Sequence, residues 1–99
     1  MLVEKIGEPA ALELLAEECT ELAHAALKLA RAERGENPTP KPLKECYAAV
    51  LEEWADVVIA AWELENLPWW SDGIVALVCG EKYARMKNRL HIRLRTADR

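Results

Sequence analysis

The sequence is poor in residues that interrupt regular structure, and it has no long hydrophobic run. It contains four glycines and five prolines among 99 residues, while 52% of its residues are hydrophobic. This balance excludes a disordered, collagen-like or glycine-rich chain. No uninterrupted apolar stretch reaches the roughly 18 residues that a membrane-spanning helix needs, so we expect no membrane span. A mass of 11.2 kDa predicts one domain covering residues 1–99.

Cysteine and histidine are also scarce, with three and two residues respectively. Cys19, Cys46 and Cys79 lie among apolar residues at helical spacing, and no CxxC pair occurs. This pattern predicts reduced, buried thiols rather than disulfides. The first residues, MLVEKIGEPAALELLAEE, lack the charge pattern of a signal peptide. Both features predict a cytoplasmic protein.

Acidic and basic residues are unevenly distributed along the chain, and each end has few charges of one sign. Residues 1–66 carry fourteen acidic and six basic residues, whereas residues 82–99 carry seven basic residues and only one acidic residue. A uniformly acidic surface would indicate solubility alone. The uneven distribution suggests that one part binds a metal cation and another binds an anion.

Apolar residues recur at steps of three and four in three segments, which predicts amphipathic helices over residues 9–34, 43–65 and 72–95, the last capped by Ser71 or Asp72. Gly35 is expected to end the first helix in a left-handed conformation, and the loop GENPTPKP separates it from the second. No segment reads as a strand. The predicted fold class is all-α: a helical bundle with three main helices per chain, completed as a four-helix-type bundle by oligomerisation.

The four tryptophans fall into two pairs. Trp54 and Trp62 lie on the apolar stripe of the second predicted helix, which indicates core packing. Trp69 and Trp70 lie in the break after it, where they either cover a neighbouring subunit or stack on a base; the sequence favours the first.

Acidic residues on the first two helices form two pairs at the same spacing. Glu18 and Glu21, and likewise Glu53 and Asp56, are three positions apart, which places each pair on neighbouring turns of one face. If the helices are antiparallel and pack stripe to stripe, all four carboxylates converge. Oxygen ligands alone favour Mg²⁺, or Mn²⁺, over Zn²⁺. Glu17 points further outward, and ordinary solvated glutamates remain the alternative for the whole group.

Three segments of the chain resemble one known family. The segments EECTELAHAALKLAR, EEWADVV and EKYARMKNR resemble the EExxE, ExxD and third-helix motifs of the MazG-like all-α nucleoside triphosphate pyrophosphatases. The resemblance covers residues 13 to 90. It implies a Mg²⁺-dependent enzyme that cleaves an NTP or dNTP to the NMP and pyrophosphate, in homodimers or homotetramers. It also places Lys82 and Arg85 at the family's basic positions.

Basic residues of the third predicted helix form one ridge. Lys82, Arg85, Arg89 and Arg93 share a face, and the first two are the better candidates for binding phosphate. Lys28 could also reach a phosphate, although a solvated lysine is the commoner situation. Asn37 and Lys41, in the loop, could fold over the phosphates, although an inert connection is the commoner situation.

Two functional hypotheses follow. In the first, Glu18, Glu21, Glu53 and Asp56 hold Mg²⁺, Glu17 or Glu21 positions the attacking water, and Lys82, Arg85 and Lys28 bind substrate phosphates. In the second, the chain is a helical interaction module that self-associates or binds a partner helix. No P-loop motif is present, and a single E-x-x-H motif, Glu21 with His24, is too little for a di-iron site. The rest of the predicted surface is acidic, which argues against nucleic acid as a partner.

Overall fold

The computed structural model describes residues 2–36 and 41–97, with side chains described as far as residue 91. These ranges contain four helices and no strand: α1 (Leu2–Ile6), α2 (Glu8–Glu33), α3 (Leu43–Leu64) and α4 (Asp72–Ala97). The all-α prediction is confirmed, with the ends of the three long helices within two residues of their predicted positions. The chain divides into two compact units, Met1–Pro68 and Trp69–Arg99, which are described separately.

Two glycines fix the ends of α2. Gly7 has a φ of 84°, and Pro9 follows it within the first turn, where a missing N–H costs nothing. At the other end Gly35 has a φ of 73°. The N–H of Glu36 donates to the carbonyl of Arg31 at 2.9 Å, and that of Gly35 to Ala32 at 3.2 Å. This is a Schellman cap, and it confirms the left-handed glycine predicted from sequence.

Helices α2 and α3 pack against each other as an antiparallel pair, with small residues at the contact between them. Ala11 and Ala25 on α2, and Cys46 and Ala60 on α3, are buried. Within each helix the two residues are two heptads apart, so they lie on one line along the helix. Small side chains on these lines let the two backbones approach closely, and we call this contact the α2–α3 seam.

The wide apolar stripes do not form the seam, so the prediction that they face each other is wrong. Leu51, Trp54 and Trp62 of α3 are 70%, 55% and 57% exposed, whereas Cys46, Ala60 and Leu64 are the buried residues of this helix. Two of the three cysteine predictions are wrong. Cys46 is buried as expected, but Cys19 and Cys79 are exposed.

The short helix α1 is not predicted by periodicity, since its five residues are fewer than two turns. Its side chain Val3 is buried, and the Val3 N–H donates to Oε2 of Glu63 at 3.0 Å. This bond ties α1 to the last turn of α3. The positive φ of Gly7 allows the chain to turn directly from α1 into α2.

The second unit consists of a tryptophan pair followed by α4. Ser71 caps α4 as predicted, since its Oγ accepts the Ile74 N–H at 3.1 Å. The Trp70 Nε1–H donates to Oδ1 of Asp72 at 2.8 Å, and the Trp69 and Trp70 ring centroids are 6.3 Å apart. Every side chain from residue 72 to residue 91 is exposed. None of the described helices combines the length and apolar content needed to cross a bilayer.

Candidate metal centre

Four carboxylates converge beside the α2–α3 seam. One carboxylate oxygen from each residue lies within 4.8 Å of the others, and we call this group the acidic cluster: Glu18, Glu21, Glu53 and Asp56. Each helix contributes two residues one turn apart, and the antiparallel arrangement brings the two pairs to the same level. The convergence predicted from sequence is therefore present, although the helices meet through different faces from those expected.

Two members of the acidic cluster occupy positions on the seam itself. Glu18 is one heptad from both Ala11 and Ala25, and Glu53 is one heptad from both Cys46 and Ala60. Each glutamate thus interrupts a line of small buried residues. The helix geometry directs one oxygen of each carboxylate into the contact between the helices, where that oxygen is shielded from water.

One oxygen of each seam glutamate lacks a hydrogen-bond partner. Oε2 of Glu18 and Oε2 of Glu53 are fully buried, and neither forms a hydrogen bond within the described part of the chain. An orphaned carboxylate oxygen is unfavourable, so such a group in a native protein is explained by a bound water, a ligand or an ion. The donor set consists only of carboxylate oxygens, which suits a hard cation such as Mg²⁺ or Mn²⁺. The four carboxylates of the acidic cluster therefore fit Mg²⁺ or Mn²⁺ as a ligand set.

The pKa values of both seam glutamates are raised. For Glu18 the largest cause is desolvation in the seam, followed by the charge of Glu21 and then that of Asp56. For Glu53 desolvation again dominates, and the charge of Glu21 comes next. Desolvation and like charges both disfavour the ionised form. A divalent cation at this position would relieve the repulsion that raises these pKa values.

A hollow of about 270 Å³ extends from the acidic cluster along the α2–α3 groove towards the loop. Glu21 and Glu53 line one end of it, and His24, Lys28 and Lys41 supply basic side chains further along. The structure thus places Lys28 in the same hollow as Glu21 and Glu53 of the cluster. His24 and Lys28 follow Glu21 by three and seven positions, a helical spacing from which their shared face could have been predicted.

Small side chains form the remainder of the hollow's α2–α3 wall. Ala25, Cys46 and Ala49 lie between the two helices, and Glu45 lies on the first turn of α3. The Cys46 thiol is both a seam residue and a lining residue. The hollow could not be predicted from the sequence, because its shape depends on which faces of α2 and α3 meet.

Other predicted site residues lie outside the acidic cluster. Glu17 is exposed and is not among the four converging carboxylates, although its charge is one of the smaller causes of the raised pKa of Glu18. Lys82 and Arg85 lie on α4 in the second unit, where they line a surface hollow together with Met86 and Arg89. Lys82, Arg85 and Arg89 thus share a face of α4 as predicted, whereas the side chains of Arg93 and Asn37 lie outside the described residues. No protein-family model, curated protein or solved structure matches this chain.

Proposed function

We propose that this chain is a Mg²⁺-dependent nucleoside triphosphate pyrophosphohydrolase of the MazG-like type. It would convert an NTP or dNTP and water to the NMP and pyrophosphate. The observation that carries the proposal is the acidic cluster, whose four carboxylates lie within 4.8 Å and include two buried oxygens without hydrogen-bond partners. Four carboxylates this close repel one another, and a divalent cation coordinated by their oxygens would offset that repulsion. Mn²⁺ fits the same donors.

The metal's contribution is electrostatic. Bound Mg²⁺ would neutralise the charge that develops on the phosphate oxygens during hydrolysis. Glu18, Glu21, Glu53 and Asp56 would hold it, with the seam residues Glu18 and Glu53 fixed between the helices. Within the first unit, Lys28 would hold substrate phosphates, since it lines the same hollow as Glu21 and Glu53. Lys82 and Arg85 on α4 stay candidates for the same role from the sequence alone.

The chain's carboxylates would also direct the attacking water. Glu21, within the cluster, or Glu17, exposed one turn away, would accept a proton from the water as its oxygen bonds to the α-phosphorus. The bond between the α-phosphorus and the oxygen bridging to the β-phosphorus breaks, and pyrophosphate leaves with that oxygen. An exposed carboxylate such as Glu17 suits this role because it is free to exchange its proton with solvent.

The test is to incubate the protein with Mg²⁺ and a panel of NTPs and dNTPs, and to measure the pyrophosphate that is released. We expect Glu53→Gln and Asp56→Asn to abolish turnover while helical content, measured by circular dichroism, stays unchanged. Glu52→Gln is the matched control, since Glu52 is exposed on α3 and lies outside the cluster. Full activity in folded Glu53→Gln protein, or no turnover of any nucleotide by the unaltered chain, would contradict the proposal.

A second candidate function is self-association as a helical interaction module. Its support is the exposure of large apolar side chains on α3 and α4, including Leu51 at 70% and Leu77 at 64%. Exposed apolar surface of this kind is typical of an interface. In this case neither Mg²⁺ nor EDTA would change the melting temperature, and no nucleotide would be cleaved.

The two candidates agree on assembly and location. We propose a homodimer or homotetramer in either case, because the exposed apolar side chains of α3 are then covered. The proposed location is the cytoplasm, where the three free thiols stay reduced. The proposed ligands are nucleotides, and we propose neither nucleic acid nor membrane as a partner.

A further inference from the structure

We infer that the hollow beside the acidic cluster binds the pyrophosphate end of the substrate, so that the β- and γ-phosphates point along the α2–α3 groove towards the loop. The inference rests on the proposed function and specifies how the nucleotide lies in that site. It assigns a role to Lys41 and His24 as well as to Lys28.

The size of the hollow selects part of a nucleotide. Its volume of about 270 Å³ lies below the roughly 300–1,000 Å³ of pockets that enclose a drug-sized molecule. One end of a nucleoside triphosphate is sufficient to occupy it. One end of the hollow is formed by Glu21 and Glu53 of the acidic cluster, so a substrate held at the cluster sends one of its two ends into the hollow.

The side chains that line the hollow favour the phosphate end. Lys28 and Lys41 carry positive charge, and the His24 imidazole offers an N–H donor. The described lining contains no Trp, Tyr or Phe side chain on which a base could stack, and the His24 imidazole is its one aromatic ring. Two lysines, with no Trp, Tyr or Phe beside them, suit a polyanion better than a nucleoside.

The helix geometry brings these groups within reach of the same ligand. Lys28 lies two turns beyond Glu21 on one face of α2, about 10 Å along the helix axis. The flexible four-carbon stem of a lysine spans part of that distance. Lys41 lies just before the first turn of α3, so it stands where the positive end of the α3 helix dipole faces the groove.

A substitution of Glu45 should change pyrophosphate binding in the opposite direction from the lysine substitutions. Its carboxylate lines the same hollow and repels a phosphate there. Replacing Glu45 with glutamine removes this repulsion while preserving the shape of the side chain. The inference therefore predicts that Lys28→Met and Lys41→Met weaken pyrophosphate binding, whereas Glu45→Gln strengthens it.

The experiment measures binding of inorganic pyrophosphate and of an NMP to the full chain in Mg²⁺, by calorimetry, so that no turnover is needed. We expect Lys28→Met and Lys41→Met each to weaken pyrophosphate binding about ten-fold and NMP binding less than about two-fold. Glu45→Gln should tighten pyrophosphate binding. Lys44→Met is the matched control, because Lys44 is exposed on α3 and does not line the hollow.

Two results would overturn the inference: unchanged pyrophosphate binding in both lysine variants, or weakened NMP binding with pyrophosphate unaffected. The second would assign the hollow to the nucleoside end. Failure of the proposed function is distinguishable from either. A chain that binds pyrophosphate through Lys28 and Lys41 but cleaves no nucleotide supports the anion site and contradicts the hydrolase.

Discussion

At the scale of single residues, the seam glutamates explain most of the site's chemistry. Glu18 and Glu53 stand on lines otherwise occupied by alanine and cysteine, where a small apolar side chain would serve the helix contact better. Each has an oxygen that is buried without a hydrogen-bond partner. Residues that weaken local packing in this way are typical of functional sites.

The raised pKa values of Glu18 and Glu53 predict how the metal-free protein responds to pH. Between the ordinary glutamate pKa and the raised values, the folded chain binds more protons than the unfolded chain. Stability therefore falls as pH rises through that window and is greatest, as far as these two groups contribute, on its acidic side. Urea unfolding in EDTA across a pH series measures this slope.

Glutamine variants supply the comparison for that series. Glu18→Gln and Glu53→Gln each remove one titrating group, so both should flatten the slope and stabilise the metal-free protein at neutral pH. Glu52→Gln, which lies outside the acidic cluster, should leave the slope as it is. An equally steep slope in all three variants would show that the pH dependence arises elsewhere.

At the scale of helices, two glycines should respond oppositely to alanine. Gly35 has a φ of 73° in the α2 cap, so Gly35→Ala should destabilise the chain by about 1 kcal/mol through backbone strain. Gly80 lies inside α4 with open space around it, so Gly80→Ala should stabilise the helix by about 0.5–1 kcal/mol. Thermal and urea unfolding followed by circular dichroism measures both.

Each glycine variant is the other's control. Both substitutions add one methyl group to a Cα atom, and neither methyl group meets a neighbour within 4 Å. Only the local conformation differs between the two positions. A stabilised Gly35→Ala variant would mean that residue 35 does not hold the left-handed conformation in solution.

The long helices and the acidic cluster could be predicted from the sequence, whereas the seam could not. Periodicity locates α2 and α3, and the i, i+3 spacing of their carboxylates is a local property of each helix. Which faces meet is a tertiary property. The helices meet through small residues such as Ala25 and Ala60, so Trp54 and Trp62 are exposed rather than buried. The hollow and the orphaned carboxylate oxygens depend on which helix faces meet, so the spacing of residues along the sequence does not predict them.

At the scale of the whole molecule, the exposed apolar side chains predict self-association. Leu51 is 70% exposed beside Trp54 on α3, so Leu51→Glu should weaken assembly at least about ten-fold without altering the helices. Sedimentation over a range of concentrations measures the dissociation constant, and circular dichroism checks the fold. A chain that stays monomeric at all concentrations, with or without the substitution, would contradict the proposed homo-oligomer.

Binding of Mg²⁺ by the acidic cluster is the central claim, and thermal melting tests it most directly. A cation that binds only the folded chain raises its stability, by about 2.7 kcal/mol at one hundred times its dissociation constant. We predict that Mg²⁺ or Mn²⁺ raises the melting temperature of the unaltered chain, that EDTA reverses the rise, and that Glu18→Gln/Glu53→Gln protein shows none. A melting temperature that neither cation changes, or an equal rise in the double variant, would contradict the account.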